Sequence, residues 1–388
     1  MRIAHVITRM IVGGAQENTL FTCQDLSSEH GDDVLLISGP ALGPEGDLLS
    51  QGQGGDFAVE YVPSLRRAIH PWRDTRSYFA IKQLLRDFKP DVVHTHSAKG
   101  GFLGRLAATS LRVPAVLHTV HGAPFHPYQG RGARALFRRC EQYAAKRCHG
   151  LVSVADAMTD LMVNANVAPR EKFTTVYSGI DVEPFLQSAQ HRQRVREQLG
   201  FAPDHVVIGK IARLFHLKGH EYVVAAAAKV AKQCPNVRFL FVGDGILRES
   251  LDEAIYEAGL EEHVHFTGLV PPAKIPELVG AMDVLVHASL REGLARALPQ
   301  ALIAGKPAIS YDVDGAREVV INNETGFLLE PKSIKPLADA MGKLTQDSEL
   351  RLRLGQEGQR RFTEQFRHQH MTAELRKLYQ KLLDGPRS

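Results

Sequence analysis

The sequence predicts an α/β protein built from two doubly wound parallel sheets, and three observations indicate this fold class. Short apolar runs alternate with amphipathic segments along the 388-residue chain, which is typical of a parallel sheet covered by helices on both sides. The alternation breaks once, between residues 178 and 205, and then restarts. A chain of this length can bury two ordinary cores, one on each side of the break.

The first half alternates in this way throughout, and we assign residues 1–183 to an N-terminal domain. A helix is predicted from Trp72 to Phe88, where Phe79, Leu84, Leu85 and Phe88 recur roughly on one face. The candidate strands are short apolar runs, namely Ile3–Ile7, Val34–Ile37, Phe57–Val62, Val92–Thr95, Ala115–Val120, Leu151–Val154 and Thr175–Tyr177.

A turn and a polar segment rich in Arg and Gln follow, and we interpret residues 184–205 as a linker. The alternation restarts in residues 206–365, which we assign to a C-terminal domain, with an alanine-rich helix from Tyr222 to Ala231. The charged residues 366–388 are predicted to form a final helix. The candidate strands of this half are Val206–Ile211, Val237–Val242, Val264–Phe266, Val284–His287, Ala308–Tyr311 and Phe327–Leu329.

Composition excludes several classes of protein. The chain is 44% hydrophobic and 23% charged, which is typical of a globular protein. Its four cysteines form no CxxC pair, which favours reduced thiols in a cytosolic protein over a disulfide framework. No apolar run approaches the ~20 residues of a spanning helix, and the chain begins with a strand-like run instead of a secretory segment. We therefore expect a cytoplasmic protein.

The most informative stretch is Ser289–Pro307, which follows the apolar run Val284–His287. It places Glu292 and Gly293 in a turn ahead of a helix-like segment. In α/β proteins a strand that ends in a polar turn at a helix N-terminus commonly binds ligand. The unpaired backbone N–H groups there favour anions or hydroxyl oxygens.

A second motif, Arg213 with Lys218 and Gly219, follows the first strand of the second half. An arginine and a lysine five positions apart around a turn can converge on one anion, because arginine supplies a planar fork and lysine a point charge. Two unrelated surface cations are the alternative interpretation. The glycine and the position after a strand favour a grip on a diphosphate.

Glycines and histidines follow strands of the first half. Gly13 and Gly14 open a helix and allow a phosphate or sugar to approach the backbone closely, although a simple tight turn is the alternative. The histidines can cluster at the carboxyl ends of two strands. His94 and His118 are interpreted as polar residues satisfied at sheet ends. His121 follows the fifth strand, and a neutral imidazole can donate to or accept from a hydroxyl. No metal site is predicted, because His94, His96, His118 and His121 lack a carboxylate or cysteine partner and match no zinc spacing.

A basic segment between Tyr128 and Cys148 contains an apolar stripe, interpreted as core packing, made of Leu136, Cys140, Tyr143 and Ala144. Its cations are interpreted as a solvated face or, alternatively, as a surface for an anionic membrane or a polyprenyl-phosphate acceptor. Nucleic acid is not expected, because aromatic residues are not interleaved with the charges. The cations are Arg131, Arg134, Arg138, Arg139, Lys146 and Arg147.

Taken in order, these motifs resemble the retaining GT-B-fold glycosyltransferases of family four, the glycosyl transferases group 1. The resemblance covers nearly the whole chain and implies two Rossmann-like doubly wound domains facing a central cleft. It implies an acceptor side in the N-terminal domain, a nucleotide-sugar donor side in the C-terminal domain, and a final helix that crosses back to the N-terminal domain. The motifs that carry it are Gly13-Gly14, His121, Arg213 with Lys218, the Gly243 loop and Glu292.

The implied activity is retaining transfer of a hexosyl group from a nucleoside-diphosphate sugar to a glycan, lipid-linked or small-molecule acceptor. Synthesis of cell-surface polysaccharide or glycolipid is the expected setting, in the cytoplasm or at the inner face of the cell membrane, with peripheral contact to anionic lipid. No metal and no further cofactor are expected, because the cations can take the role of a metal.

The resemblance also implies a role for each matched residue. The residues expected to be catalytic are His121, Arg213, Lys218 and Glu292. The family places a second glutamate, which binds the ribose, where this chain has Gln300. Residues expected to bind the donor are Gly13, Gly14, Gly243, Val270, Gly293, Leu294 and Gln300.

Two alternatives remain open at this point. One is a GT-B-fold sugar-nucleotide epimerase, which needs carboxylates and histidines that move protons or add water, whereas this chain lacks an obvious second carboxylate. The other is a nucleotide-sugar-binding partner without turnover, which the glutamine at position 300 suggests. Turnover of the donor with and without acceptor separates all three interpretations.

Overall fold

The computed structural model describes residues 1–42, 46–51 and 55–385. The chain divides into two compact units. Unit 1 comprises Met1–Ile180 together with the residues from Arg367 onward, and unit 2 comprises Asp181–Phe366. Each unit contains one parallel sheet with helices on its faces, so the α/β fold class is confirmed.

Unit 1 has a seven-stranded sheet in the order β3-β2-β1-β4-β5-β6-β7. The strands are β1 (Arg2–Ile7), β2 (Asp33–Ser38), β3 (Ala58–Tyr61), β4 (Val92–His96), β5 (Ala115–Val120), β6 (Gly150–Ser153) and β7 (Phe173–Thr175). The helices are α1 (Gly14–Ser28), α2 (Pro71–Phe88), α3 (Ala98–Ser110), α4 (Arg131–Ala145), α5 (Asp156–Asn164) and, after unit 2, α14 (His368–Asp384).

The last helix, α14, belongs to the core of unit 1. Tyr379 is fully buried in the same apolar cluster as Ile3 and Leu20. Polar contacts fix the helix to its neighbours, because the Asp25 carboxylate accepts a hydrogen bond from Thr372 at 2.7 Å. Unit 1 therefore combines the first and last segments of the described chain.

Unit 2 has a six-stranded sheet in the order β10-β9-β8-β11-β12-β13. The strands are β8 (Val206–Ile211), β9 (Val237–Val242), β10 (Val264–Gly268), β11 (Val284–His287), β12 (Ala308–Tyr311) and β13 (Gly326–Leu329). The helices are α6 (Glu183–Leu186), α7 (Arg192–Gln198), α8 (His220–Gln233), α9 (Arg248–Glu257), α10 (Ile275–Ala281), α11 (Ala297–Ile303), α12 (Ile334–Gln346) and α13 (Ser348–Phe362).

Residues 184–205, interpreted from sequence as a linker, lie within unit 2 and are largely helical. Arg192 and Arg196 on α7 each contact a different oxygen of the Asp283 carboxylate at 2.6 Å. Burial raises the pKa of Asp283, but the two guanidinium groups outweigh burial and lower it below its ordinary value. This segment is therefore attached to the start of β11 by paired charges.

Two expectations about helix faces are wrong. On α2 the buried residues include Ile81 and Leu85, whereas Phe79 is 61% exposed. On α4 the interpretation of the apolar stripe as core packing fails for Leu136 and Tyr143, which are 53% and 48% exposed. At 3.6 residues per turn, Phe79 lies on the opposite side of α2 from Phe88, nine positions later, so these two residues do not share a face. Leu136 and Tyr143 do share a face of α4, but helical spacing does not show whether that face is covered.

A buried ion pair explains how α4 is held without those side chains. Glu141 is buried on α4, and its Oε2 atom accepts a hydrogen bond at 3.0 Å from Arg105, which is fully buried on α3. Ala144 and Ala145 are buried on the same side of α4. The helix is thus anchored by small residues and one charge pair, which leaves its large apolar side chains at the surface.

Candidate functional site

Each sheet has one point where the order of its strands reverses, between β1 and β4 in unit 1 and between β8 and β11 in unit 2. Open α/β sheets bind ligands outside the carboxyl ends of the strands at such a point. The predicted motifs follow these strands. Gly13 comes after β1, Arg213 and Lys218 come after β8, and Glu292 comes after β11.

A four-residue polar cluster marks the reversal in unit 2. The Lys218 ammonium lies 2.6 Å from Oε1 of Glu292. Nε2 of His287, the last residue of β11, lies 3.2 Å from the same oxygen. The backbone N–H of Glu292 donates to Oδ2 of Asp314 at 2.7 Å. The structure therefore brings together two of the predicted catalytic residues, Lys218 and Glu292.

The charges in this cluster follow from its burial and its partners. Burial raises the pKa of Glu292, but the Lys218 ammonium and the His287 imidazole outweigh burial and lower it well below its ordinary value. Burial lowers the pKa of His287, despite the neighbouring Glu292. Burial and the Glu292 charge raise the pKa of Asp314. Glu292 is thus an ionised carboxylate at neutral pH.

The loop that carries Lys218 is closely packed against the end of β11. Gly219 has a φ of 69°, and a Cβ atom there would lie 1.9 Å from the carbonyl oxygen of Ala288. The N–H of Leu290 also donates to the carbonyl of Leu217 at 2.8 Å. A side chain at position 219 would separate these loops, so the glycine is needed to keep Lys218 beside Glu292.

Arg213 lies at the start of the same loop and is exposed, with its guanidinium carbon 5.0 Å from the centroid of the Phe215 ring. Tight turns join it to Lys218, because Phe215 N–H donates to the Arg213 carbonyl and Lys218 N–H to the Phe215 carbonyl, at 2.8 and 3.2 Å. Gly243 approaches this loop so closely that a Cβ atom would lie 2.2 Å from the Ala212 carbonyl oxygen. The Gly243 loop therefore borders the Arg213 loop.

The remaining residues predicted in unit 2 follow strands β10 and β11. Val270 is half-buried two residues after β10, and Leu294 is half-buried in the turn after Glu292. The Gly293 carbonyl accepts from the N–H of Gly315 at 3.0 Å. Gln300 is half-buried in the first turns of α11, and its side-chain amide makes no hydrogen bond to the residues that the structure describes.

In unit 1, Gly13 caps the N-terminus of α1 and its carbonyl accepts from the N–H of Glu17 at 3.0 Å. Gly14 is the first residue of the helix and both glycines are half-buried. His121 is half-buried just after β5, and its Nε2 lies 3.1 Å from Nδ1 of His96. Both predicted sites thus lie at the carboxyl edge of the sheet.

Behind His121 lies a buried group of imidazoles. His5, His94 and His96 are fully buried, and each offers one nitrogen within 4.8 Å of the others. Such a group can be considered as a metal site, but both nitrogens of His94 are already bonded, to the Tyr379 hydroxyl at 2.6 Å and to Thr119 at 2.7 Å. His96 is bonded on both nitrogens as well. Hydrogen bonding therefore accounts for this group better than ligation does.

Sequence reasoning missed two buried residues near these sites. His5 stands between the apolar residues of β1, and Lys210 between those of β8. Lys210 is fully buried, and its Nζ atom has no hydrogen-bond partner among the described residues. Burial, assisted by the Lys218 charge, lowers the pKa of Lys210 to about 7. The available signal was a cation inside an otherwise apolar strand, which is rare without a specific reason.

Within the described ranges, none of the helices combines the length and apolarity needed to cross a lipid bilayer.

Comparison with known proteins gives two family models that match in succession. The model described as glycosyl transferase 4-like domain matches residues 13–179, and the model described as glycosyl transferases group 1 matches residues 191–361. Together they cover most of unit 1 and nearly all of unit 2.

Similar full-length proteins and structures agree with these models. An Escherichia coli protein named UDP-Gal:alpha-D-GlcNAc-diphosphoundecaprenol alpha-1,3-galactosyltransferase is 29% identical over 354 residues, covering 91% of this chain and 90% of that protein. A capsular polysaccharide biosynthesis glycosyltransferase from Staphylococcus aureus is 25% identical over 84% of this chain and 86% of its own length. The crystal structure of Anabaena Alr3699/HepE in complex with UDP superposes with a TM-score of 0.82 at 23% identity, covering 98% of this chain and 100% of that one.

Proposed function

This chain belongs to the GT-B-fold glycosyltransferases of family four, the glycosyl transferases group 1, and we propose that it transfers a sugar with retention of anomeric configuration. The donor is a nucleoside-diphosphate sugar, and the acceptor is a lipid-linked sugar of cell-surface polysaccharide or glycolipid synthesis. The Lys218–Glu292 ion pair at the strand reversal of unit 2 carries this proposal.

The chemistry follows from the charges in that cluster. When the bond from the sugar to the diphosphate breaks, negative charge develops on the departing phosphate oxygens. Fixed cations stabilise such charge most effectively when they are already in place. Glu292 holds the Lys218 ammonium in position at 2.6 Å, and Arg213 supplies a second cation from the same loop. These two cations are the groups that assist departure of the diphosphate.

Glu292 acts as a sugar-binding group in this proposal. An ionised carboxylate accepts hydrogen bonds from sugar hydroxyls, while the N–H groups of Gly293 and Leu294 can donate to the sugar. Because Lys218 and His287 both hold the same oxygen of Glu292, we do not assign it as a covalent nucleophile. The diphosphate departs and the acceptor hydroxyl attacks on the same face of the sugar, giving its proton to a departing phosphate oxygen, so that the configuration is retained.

The other residues of the resemblance take part in binding. We assign Gly13 and Gly14 to the donor diphosphate at the N-terminus of α1, where backbone N–H groups favour anions. His121 binds a hydroxyl of the donor sugar. Gly243 and Val270 border the nucleotide base, and Gln300 binds the ribose. No metal ion is required, since the cations take that role, and activity is expected to persist in EDTA.

The test measures donor turnover and transfer to acceptor by Arg213→Ala and Lys218→Ala. Each variant is expected to lose on the order of a hundredfold in kcat, as for other groups that stabilise transition-state charge. Lys229→Ala is the matched control. Lys229 is exposed on α8, and its substitution removes one positive charge from the same unit. Wild-type turnover in both variants would contradict the assignment. Release of nucleotide without transfer to any acceptor would contradict the activity itself.

Exposed side chains on unit 1 support an acceptor at a membrane surface. Ile69 and Trp72, in and just after the loop that leads into α2, are 68% and 83% exposed, and Phe79 follows Trp72 after two helical turns. We call these residues, with the nearby exposed cations, the aromatic surface; the cations are Arg66, Arg67 and Arg76. Apolar rings with arginines around them are typical of proteins that lie in a lipid interface.

The aromatic surface lies near the carboxyl edge of the sheet of unit 1. Helices α2, α3 and α4 follow β3, β4 and β5, so all three begin at that edge. Both α2 and α4 pack against α3, which places the exposed residues of α4 on the same face of the sheet. His121 follows β5 at this edge. A membrane on this face would bring a lipid-linked acceptor to the edge where His121 lies.

Trp72 is the single tryptophan of the chain, so its fluorescence reports on this surface without a label. Vesicles with anionic lipid are expected to shift the emission to shorter wavelength, and zwitterionic vesicles to shift it much less. Arg67→Gln with Arg76→Gln is expected to reduce the shift. The control neutralises Arg86 and Lys89 at the other end of α2. An emission spectrum that anionic vesicles leave unchanged would contradict contact with the membrane.

A further inference from the structure

Three imidazoles form a continuous line from the interior of unit 1 to His121. Nδ1 of His5 lies 3.0 Å from Nε2 of His96, and Nδ1 of His96 lies 3.1 Å from Nε2 of His121. The strand register places His5 opposite His94, and His96 lies two residues farther along on the same face. The sheet therefore aligns the first two rings, and the loop after β5 supplies the third.

Ring packing holds these imidazoles in place in addition to the hydrogen bonds between their nitrogens. The rings of His5 and His96 are stacked, with centroids 5.3 Å apart and planes at 14°. The rings of His96 and His121 are also stacked, at 5.3 Å and 29°. His94 lies against His96 with centroids 4.4 Å apart, and Tyr379 of α14 holds His94 in turn. Rotation of His96 would disturb several contacts at once.

The line of hydrogen bonds allows only two arrangements of its protons. A neutral imidazole has one N–H and one bare nitrogen, so each ring donates once and accepts once. Burial lowers the pKa of His5 to about 3 and also lowers the pKa of His96, which keeps both rings neutral at pH 7. Donation therefore runs either outward from His5 or inward from His121.

The surroundings of His5, at the inner end of the line, favour one of these two arrangements. Nε2 of His5 is buried and has no hydrogen-bond partner among the described residues. Inward donation would place a proton on this nitrogen and leave a buried N–H unsatisfied, which is rare in folded proteins. Outward donation leaves only a bare nitrogen there. It requires His5 and His96 to donate from Nδ1, and His121 to accept at Nε2.

We propose that His5 and His96 are positioning residues that fix His121 in the tautomer with its proton on Nδ1. His121 then offers an N–H donor from a fixed ring, which suits an oxygen of a sugar hydroxyl. This inference rests on the proposed function only in assigning a sugar oxygen as the acceptor of that N–H group. The tautomer itself is a property of the free protein.

The direct test is nitrogen NMR of protein labelled with ¹⁵N-histidine, without any ligand. The His121 signals are assigned from their loss in His121→Asn. Nδ1 of His121 is expected to be protonated and Nε2 bare. In His96→Phe, which keeps a planar ring but cannot donate, His121 is expected to lose its single tautomer. In His96→Gln the carboxamide can still donate, so the wild-type tautomer is expected to persist.

Kinetics with the same variants connects the tautomer to catalysis. His96→Phe is expected to lower kcat/KM for the donor on the order of tenfold, the loss of about one hydrogen bond, and His96→Gln is expected to recover most of it. His118→Gln is the control, because His118 is buried on the neighbouring strand β5 and bonded to Thr95 instead of to a histidine of this line. A spectrum that shows a proton on Nε2 of wild-type His121, or no change in His96→Phe, would overturn the proposal. If the spectra are as expected but His121→Asn leaves kcat/KM for the donor unchanged, only the donor-binding role of His121 would be contradicted.

Discussion

Lys210 offers a test of the electrostatics in unit 2 that does not depend on any substrate. Its side chain is fully buried on β8, and Nζ has no hydrogen-bond partner among the described residues. Burial and the nearby Lys218 charge lower its pKa from 10.5 to about 7. One pKa unit corresponds to 1.36 kcal/mol, so the charged form costs up to about 5 kcal/mol of stability.

The sign of the pH dependence follows from which state binds the proton more tightly. Below pH 7 both the folded and the unfolded chain carry the proton on Lys210, and the full cost is present. Between pH 7 and 10.5 the unfolded chain keeps the proton while the folded chain has lost it. The free energy of unfolding therefore rises with pH across this window, and the cost is relieved as the pH approaches 10.5.

Lys210→Met removes the charge at nearly constant volume. The variant is expected to be more stable than wild type at pH 7, by a few kcal/mol in urea unfolding, and the difference is expected to shrink towards zero at pH 10. Lys229→Met is the control, because Lys229 is exposed on the adjacent helix α8. Equal stability of the Lys210 variant and wild type at pH 7, or a difference independent of pH, would show that the buried Lys210 charge does not destabilise the fold.

Three further predictions concern donor affinity, membrane contact and the anchoring of α4. A carboxamide at position 300 offers one acceptor where a carboxylate offers two oxygens, so Gln300→Glu is expected to tighten donor binding and Gln300→Ala to weaken it by about 1 kcal/mol. Calorimetry that gives one affinity for all three side chains would place Gln300 away from the ribose. Arg105→Met is expected to cost about 3–5 kcal/mol because it leaves Glu141 buried without its partner, and adding Glu141→Leu is expected to restore much of that stability in urea unfolding. If anionic vesicles contact α4, neutralising Arg134, Arg138 and Arg139 together is expected to lower sedimentation of the protein with these vesicles, while activity on a soluble acceptor persists. The control variant neutralises Lys82, Arg86 and Lys89 instead. Equal sedimentation of the α4 variant and wild type would mean that the α4 cations form only a solvated face.

Most of the fold could be predicted because buried parallel strands are short apolar runs. The run Ala115–Val120 coincides with β5, and Val284–His287 coincides with β11. The predicted strand Thr175–Tyr177 is displaced, since β7 ends at Thr175. Sequence periodicity locates a strand well when both faces are buried, and less well at the edge of a sheet where β7 lies.

The site could be predicted in part, for a related reason. Lys218 and Glu292 were found because each follows a buried strand at a glycine-containing turn, and the structure brings them together. His5 and Lys210 were not found, because a polar residue inside an apolar strand gives no sign of its neighbours until the register is known. Leu136 and Tyr143 were assigned to the wrong environment because helical spacing does not reveal which face another element covers.

Retaining sugar transfer is decided by the anomeric configuration of the product. The chain is incubated with nucleoside-diphosphate sugars whose diphosphate is α-linked, together with a lipid-linked or soluble sugar acceptor. Proton NMR of the product then reads the coupling of the new anomeric proton. We expect an α-linked product whose formation requires Arg213 and Lys218. A β-linked product, or an α-linked product formed equally well by Arg213→Ala and Lys218→Ala, would contradict it.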